Sequence, residues 1–208
     1  MPQSSIFSHL QVAAQRYPQK TAIQFYGAAY DYADLFRDAE HMAGYLQQVC
    51  GVRRGDRVVV FSQNCPQFIA AYFATLRADA ALVPANAMLL LEEMQHIVND
   101  SGAVVAFVGE ELLDQVLPLL GTTSLRQIVV HAYGDALGDD DAGLTIPTGC
   151  APARPRRRCR LAACAGTMPW RNAACLRRTC PARTTYACCP TPLAPPASPR
   201  RACIRTAR

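Results

Sequence analysis

From residue 148 to its last residue this sequence contains no aspartate, no glutamate, no histidine and no lysine. That stretch instead holds 13 arginines, 8 of the 10 cysteines and 9 of the 15 prolines. Residues 1–147 are the reverse, with 8 basic and 16 acidic residues, so the whole-chain balance of +5 averages −8 against +13. The break excludes a single basic protein. It divides the chain into a domain over 1–147 and a tail of unrelated composition over 148–208.

Other absences narrow the domain. The start lacks a basic segment followed by an apolar core, so no secretory signal is read there. The most apolar run, FIAAYFATLRADAALVPANAMLLL, is broken by Arg77, Asp79 and Pro84. It falls short of the roughly 20 clean apolar residues a spanning helix needs. A cytoplasmic location with reduced cysteines is the expectation. No GxGxxG and no Walker loop occur. His9, His41, His96 and His131 are scattered without ligand or triad spacing, and read as surface or helix-face residues. Glu92 and Glu93 read as first-turn carboxylates facing a helix dipole. The tyrosines and phenylalanines read as core. No catalytic, cofactor-binding or metal-ligating residue is assigned.

What is present is a clear alternation. Ile6, Leu10, Ala13 and Ala14 share a helical face that Pro18 closes. TAIQFYGAAYDY reads as a hairpin around Gly27. Asp31 caps a helix with core residues Leu35, Phe36, Ala39, Met42, Ala43 and Leu46, ended near Gly51. GDRVVVFSQN is a strand covered on both faces. Pro66 opens a helix with Ile69, Tyr72, Phe73 and Leu76 inward. AALVPAN is a strand, and Leu90, Met94, Ile97 and Val98 mark a helix stopped at Gly102. VVAFVG is a strand, Leu112, Leu113, Val116 and Leu119 a helix, and QIVV a final strand. Such an order predicts an α/β fold, a parallel sheet with helices on both faces.

The run from Gly51 to Gly109 carries a likeness. Gly55 to Val58, Asn64 to Phe68, Val83 to Asn86 and Glu92 to Ala103 follow in the order found in one family. Over roughly residues 4–133 the chain resembles the N-terminal region of the AMP-forming acyl-CoA synthetases, adenylate-forming enzymes of the long-chain-fatty-acid–CoA ligase type. The resemblance implies a parent reaction in which ATP activates a fatty acid as its adenylate and coenzyme A displaces AMP. It also implies a Ser/Thr/Gly-rich phosphate loop, a magnesium site, a ribose-binding aspartate and a mobile C-terminal domain. All lie downstream of the matched region, so this chain is expected to hold only part of the N-terminal subdomain and no ATP, Mg or coenzyme A site.

The tail becomes intelligible when read one base out of step. Joining the third base of each codon to the first two of the next makes Cys188–Cys189 a leucine. The junctions that follow allow Pro-Tyr-Thr-Ser-Gly-Thr-Thr-Gly-Leu-Pro-Lys up to Arg200. That string resembles the family's phosphate-binding signature. The expectation is a frameshift near codons 140–150, followed by a disordered tail unable to offset its chain entropy. A sheet cut short in this way would expose strand edges and apolar helix faces.

Rival readings belong to a different class, a binding protein with a basic, cysteine-rich arm. Cys159 with Cys164, and Cys175 with Cys180, suggest a zinc module, though without histidine and with wide spacing. RPRRRCR would attract phosphates through charge, giving incidental nucleic-acid affinity.

Overall fold

In the computed structural model the residues described are 5–137 and the backbone of the strand Ala174–Arg177. The zinc and nucleic-acid readings of the tail otherwise fall outside these residues, as does the signature string hidden near its end.

Helix α1 (Ile6–Arg16) starts where Ser5 Oγ accepts the Ser8 N–H and stops before Pro18. Strands β1 (Thr21–Phe25) and β2 (Ala28–Asp31) form the expected antiparallel hairpin. Tyr26 and Gly27 both have positive φ, 43° and 84°, as a two-residue turn matched to strand twist requires. Asp31 Oδ1 accepts the Asp34 N–H at 2.7 Å and begins α2 (Tyr32–Gln48). Then come β3 (Arg57–Phe61), α3 (Pro66–Arg77), β4 (Ala81–Ala85), α4 (Leu91–Ser101) and β5 (Val105–Gly109). Short α5 (Leu113–Val116), flanked by single 3-10 turns, leads to β6 (Gln127–His131).

The main sheet has the order β4-β3-β5-β6-β7, where β7 is Ala174–Arg177. The first four strands are parallel, as expected, and β7 runs antiparallel to β6. β6 is therefore not the final strand. Four residues of the tail, expected to lack regular structure, sit on its edge. β4 forms the opposite edge and carries Pro84, whose missing N–H is tolerated at such a position.

Strand alternation feeds two apolar layers. Val59 and Phe61 join Ala106, Val108, Ile128 and Val130 beneath α4 and α5, contributed by Met94, Val98, Leu112, Leu113 and Val116. Val58 and Val60 join Val105, Phe107 and Val129 beneath α2 and α3. Both faces are thus covered, which explains strands without polar alternation. A third cluster of Phe7, Leu10, Leu35, Ala39 and Ala70 seats α1 against α2 and α3.

Two helix faces depart from the sequence reading. Ile6 is 54 % exposed, and Phe7 takes the buried place beside Leu10. In α3 the deeply buried residues are Ala70, Ala71, Ala74 and Thr75, while Ile69, Tyr72, Phe73 and Leu76 are half-buried. α3 packs against both the sheet and its neighbour α2, where small side chains permit close approach. Its larger residues fill the flanks, Ile69, Phe73 and Leu76 against the third cluster.

Two of the sequence segments meet at one side chain. Arg57 Nε donates to the Ser101 carbonyl at 2.5 Å, and its Nη2 donates to the Gly102 carbonyl at 3.3 Å. Ser101 and Gly102 end α4, with Gly102 in the left-handed region at φ 61°. Arg57 therefore satisfies carbonyls that the helix leaves free and places a cation at the negative end of its dipole. Asp56 beside it accepts from the Arg53 N–H at 2.9 Å and pairs with Arg126 at 3.4 Å. Arg57→Met keeps the aliphatic stem but loses these bonds. The urea midpoint should fall by the equivalent of roughly 1–3 kcal/mol; an unchanged midpoint would show that solvent serves the helix end equally well.

Candidate functional site

The chain leaves β3 for β4 on one side, then returns to place β5 on the other. Open α/β sheets bind ligands outside the carboxyl ends of strands where the order reverses in this way. Here that point lies between β3 and β5, and the residues just beyond β3, β5 and β6 meet there.

Ser62 follows β3, and its Oγ lies 2.9 Å from Nε2 of His131, the last residue of β6. The Ser62 hydroxyl also reaches the Gln63 carbonyl at 3.0 Å. With its proton on Nε2, His131 donates to Ser62, which remains free to donate to that carbonyl. Cys65 Sγ lies 3.6 Å from Ser62 Oγ and 3.8 Å from His131 Nε2, and accepts the Phe68 N–H at 3.3 Å. Tyr133 completes the group. Its hydroxyl accepts the Gln63 N–H at 3.0 Å and donates to Glu111 Oε1.

Four members of this group are held away from water. Ser62, Cys65, His131 and Tyr133 are each at most 5 % exposed. Burial drives His131 down to about 4 and raises the Cys65 thiol. Burial and the bond to Glu111 both raise Tyr133. A serine beside a histidine suggests a nucleophile and its base, but Glu111, the acid of the group, is bonded to Tyr133 and not to His131. The arrangement locks three loops together and keeps the Ser62 and Tyr133 hydroxyls away from solvent, while Glu111 lies at the surface.

The sequence reading put His131 on a surface or helix face, and the structure places it at a buried strand end. His9 and His96 are exposed on helices as expected, and His41 is half-buried on α2. Glu92 and Glu93 lie in the first turn of α4, where Glu93 Oε2 accepts the Leu90 N–H at 2.8 Å. The sequence assigned no site role to Ser62, Cys65, Glu111, His131 or Tyr133. They belong to three separate segments, and only strand order brings them together.

The helix end nearest this point offers no cradle for an anion. Cys65 Sγ occupies the Phe68 N–H, and Pro66 at the first position has no N–H to give. Among the described residues no group of three His, Cys, Asp or Glu side chains is placed to hold a metal ion.

Residues 10–155 match the family model described as AMP-binding enzyme. The chain belongs to the AMP-binding enzyme family. It is 31% identical over 138 residues to a long-chain-fatty-acid–CoA ligase of Bacillus subtilis (strain 168), covering 66% of this chain and 24% of that protein. It is 34% identical over 152 residues to a feruloyl-CoA synthase of Amycolatopsis sp, covering 69% and 30%. Among solved structures, a long-chain-fatty-acid-CoA ligase from Archaeoglobus fulgidus superposes with a TM-score of 0.57 at 26% identity, covering 62% of this chain and 27% of that one. The chain thus spans about a quarter of the length of the curated ligases it matches. In this member of the AMP-binding family the likeness and the described fold coincide over most of 10–137.

Two outcomes follow. A Cβ on Gly109 would lie 2.5 Å from Tyr133 Oη and 2.8 Å from Glu111 Oε2. Gly109→Ala must therefore push that pair apart, at a cost of roughly 1–3 kcal/mol, read as a lower thermal midpoint with greater tyrosine fluorescence quenching by iodide. His131 has the opposite kind of test. Its proton affinity is lower folded than unfolded, so its contribution is full above about pH 6.5 and drains away as pH falls toward 4. The loss amounts to on the order of 3 kcal/mol. His131→Gln should flatten that limb of a stability-against-pH curve, and a parallel curve would refute the assignment.

Proposed function

We propose that residues 1–147 are part of the N-terminal subdomain of an AMP-forming fatty acid–CoA ligase, and that this chain alone does not carry out ligation. The parent reaction joins a fatty acid to coenzyme A and converts ATP to AMP and diphosphate. The observation that carries this reading is the ordered likeness to long-chain-fatty-acid–CoA ligases over the folded part of the chain. The meeting of the Gly55–Val58 and Glu92–Ala103 segments at Arg57 gives that order a structural reason.

The described residues do not fit the family's nucleotide and magnesium. The crevice where the strand order reverses is filled by Ser62, His131 and Tyr133, and the α3 N-terminus is already capped. Phosphate binding belongs to the signature hidden in the second reading frame of the tail, so we place the break in function at a frameshift near residues 140–150. Boundaries at 147 and 148, a cytoplasmic location and a fatty acid as the natural acid are parts of the same proposal. Among the described residues no helix is long and apolar enough to cross a membrane.

The test is direct. Purified chain incubated with ATP, magnesium and palmitate should release no pyrophosphate above a blank. A gene with one base restored across codons 140–150 should read through the hidden signature and give palmitate-dependent pyrophosphate release. Turnover by the chain as it stands would refute the inactivity, and a restored gene that meets an early stop would refute the frameshift.

A further inference from the structure

Single apolar side chains at a protein surface are common and carry no message. The loop between β4 and α4 differs, because Met88, Leu90 and Leu91 are 79, 66 and 37 % exposed within four residues. Leu89 between them packs the other way, against the cluster that α4 covers.

Turn chemistry holds this display in place. Asn86 Oδ1 accepts the Met88 N–H at 3.0 Å, and the Asn86 carbonyl accepts the Leu89 N–H at 3.0 Å. Glu93 Oε2 accepts the Leu90 N–H at 2.8 Å. Three consecutive backbone donors are thus committed to keeping one leucine inward and its neighbours outward. A loop ordered in advance loses less entropy when another surface packs on it. Glu92 and Glu93 stand exposed beside it, so the cover that fits is apolar with basic groups at its rim.

The position of the loop selects the cover. It leaves the carboxyl end of β4. Because β3, β4, β5 and β6 run parallel, the turn after β6 lies at the same end of the sheet. From that turn the family likeness runs on to residue 155. The matched part makes up only 24% and 23% of two of the ligases it resembles. If this chain is an N-terminal part, the remainder of such a ligase continues from the end of the sheet where the loop stands.

We propose that Met88, Leu90 and Leu91 form a docking surface for the downstream part of the parent ligase, through an apolar face with a basic rim. The inference rests on the reading of this chain as part of a longer ligase.

Hydrogen peroxide oxidation with peptide mass mapping reads the loop directly, since a thioether reacts as it is exposed. Met42 and Met94, 7 % and 0 % exposed, serve as internal references. In the chain as it stands Met88 should oxidise far faster than either. In the ligase made from the gene with one base restored, it should react as slowly as they do. Leu90→Gln gives a second readout. It should leave the thermal midpoint of the present chain unchanged and lower that of the restored ligase. A full-length restored ligase that releases pyrophosphate while its Met88 still reacts freely overturns the docking surface and leaves the ligase reading intact. An early stop in the restored gene overturns both. Protection of Met88 in the present chain that grows with chain concentration assigns the loop to a second copy, and protection on adding phosphatidylcholine vesicles assigns it to lipid; either overturns the proposal.

Discussion

The structure depends on covering β3 on both faces at once. Val58, Val59, Val60 and Phe61 have no measurable exposure, and their alternate side chains enter two different apolar clusters. A strand in that position satisfies its backbone only through β4 and β5. Every other element is arranged to keep it so. α2 and α3 close one side, α4 and α5 the other, and Arg57 ties the end of α4 back to the start of the strand.

Much of this was legible in the sequence because the determinants are local. Asp31, Gly27, Pro66 and Gly102 act within a few residues of where they stand, and each marks the boundary expected of it. The uninterrupted apolar character of β3, β5 and β6 reported a sheet buried on both sides. The face of α3 was not legible. Periodicity ranks large residues as core, yet close packing selects Ala71 and Ala74 toward the sheet and Ala70 toward α1 and α2. The cluster of Ser62, His131 and Tyr133 was hidden for another reason. Its members are separated by as many as 71 residues, and no spacing rule joins the ends of separate strands. β7 carried no strand pattern that set it apart from the rest of the tail.

The loops beyond the carboxyl ends of the strands are held with unusual thoroughness. Residues 132–136 are gripped from one side by Tyr30 and Gln67 and from the other by the bonds of Tyr133. Polar groups buried and paired in this way fix a backbone in one geometry, because an alternative would leave several of them unsatisfied together. The turn that follows β6 is thus held in one geometry.

Pro84 has an effect reaching past its own strand. β4 is one of the two margins of the main sheet, opposite β7, and the ring of Pro84 removes a donor from it. A neighbouring molecule laying a strand there would meet a gap in the ladder. Lateral growth of the sheet is thereby discouraged on the β4 side, so any recruitment of further strands is biased toward the opposite margin, which β7 forms.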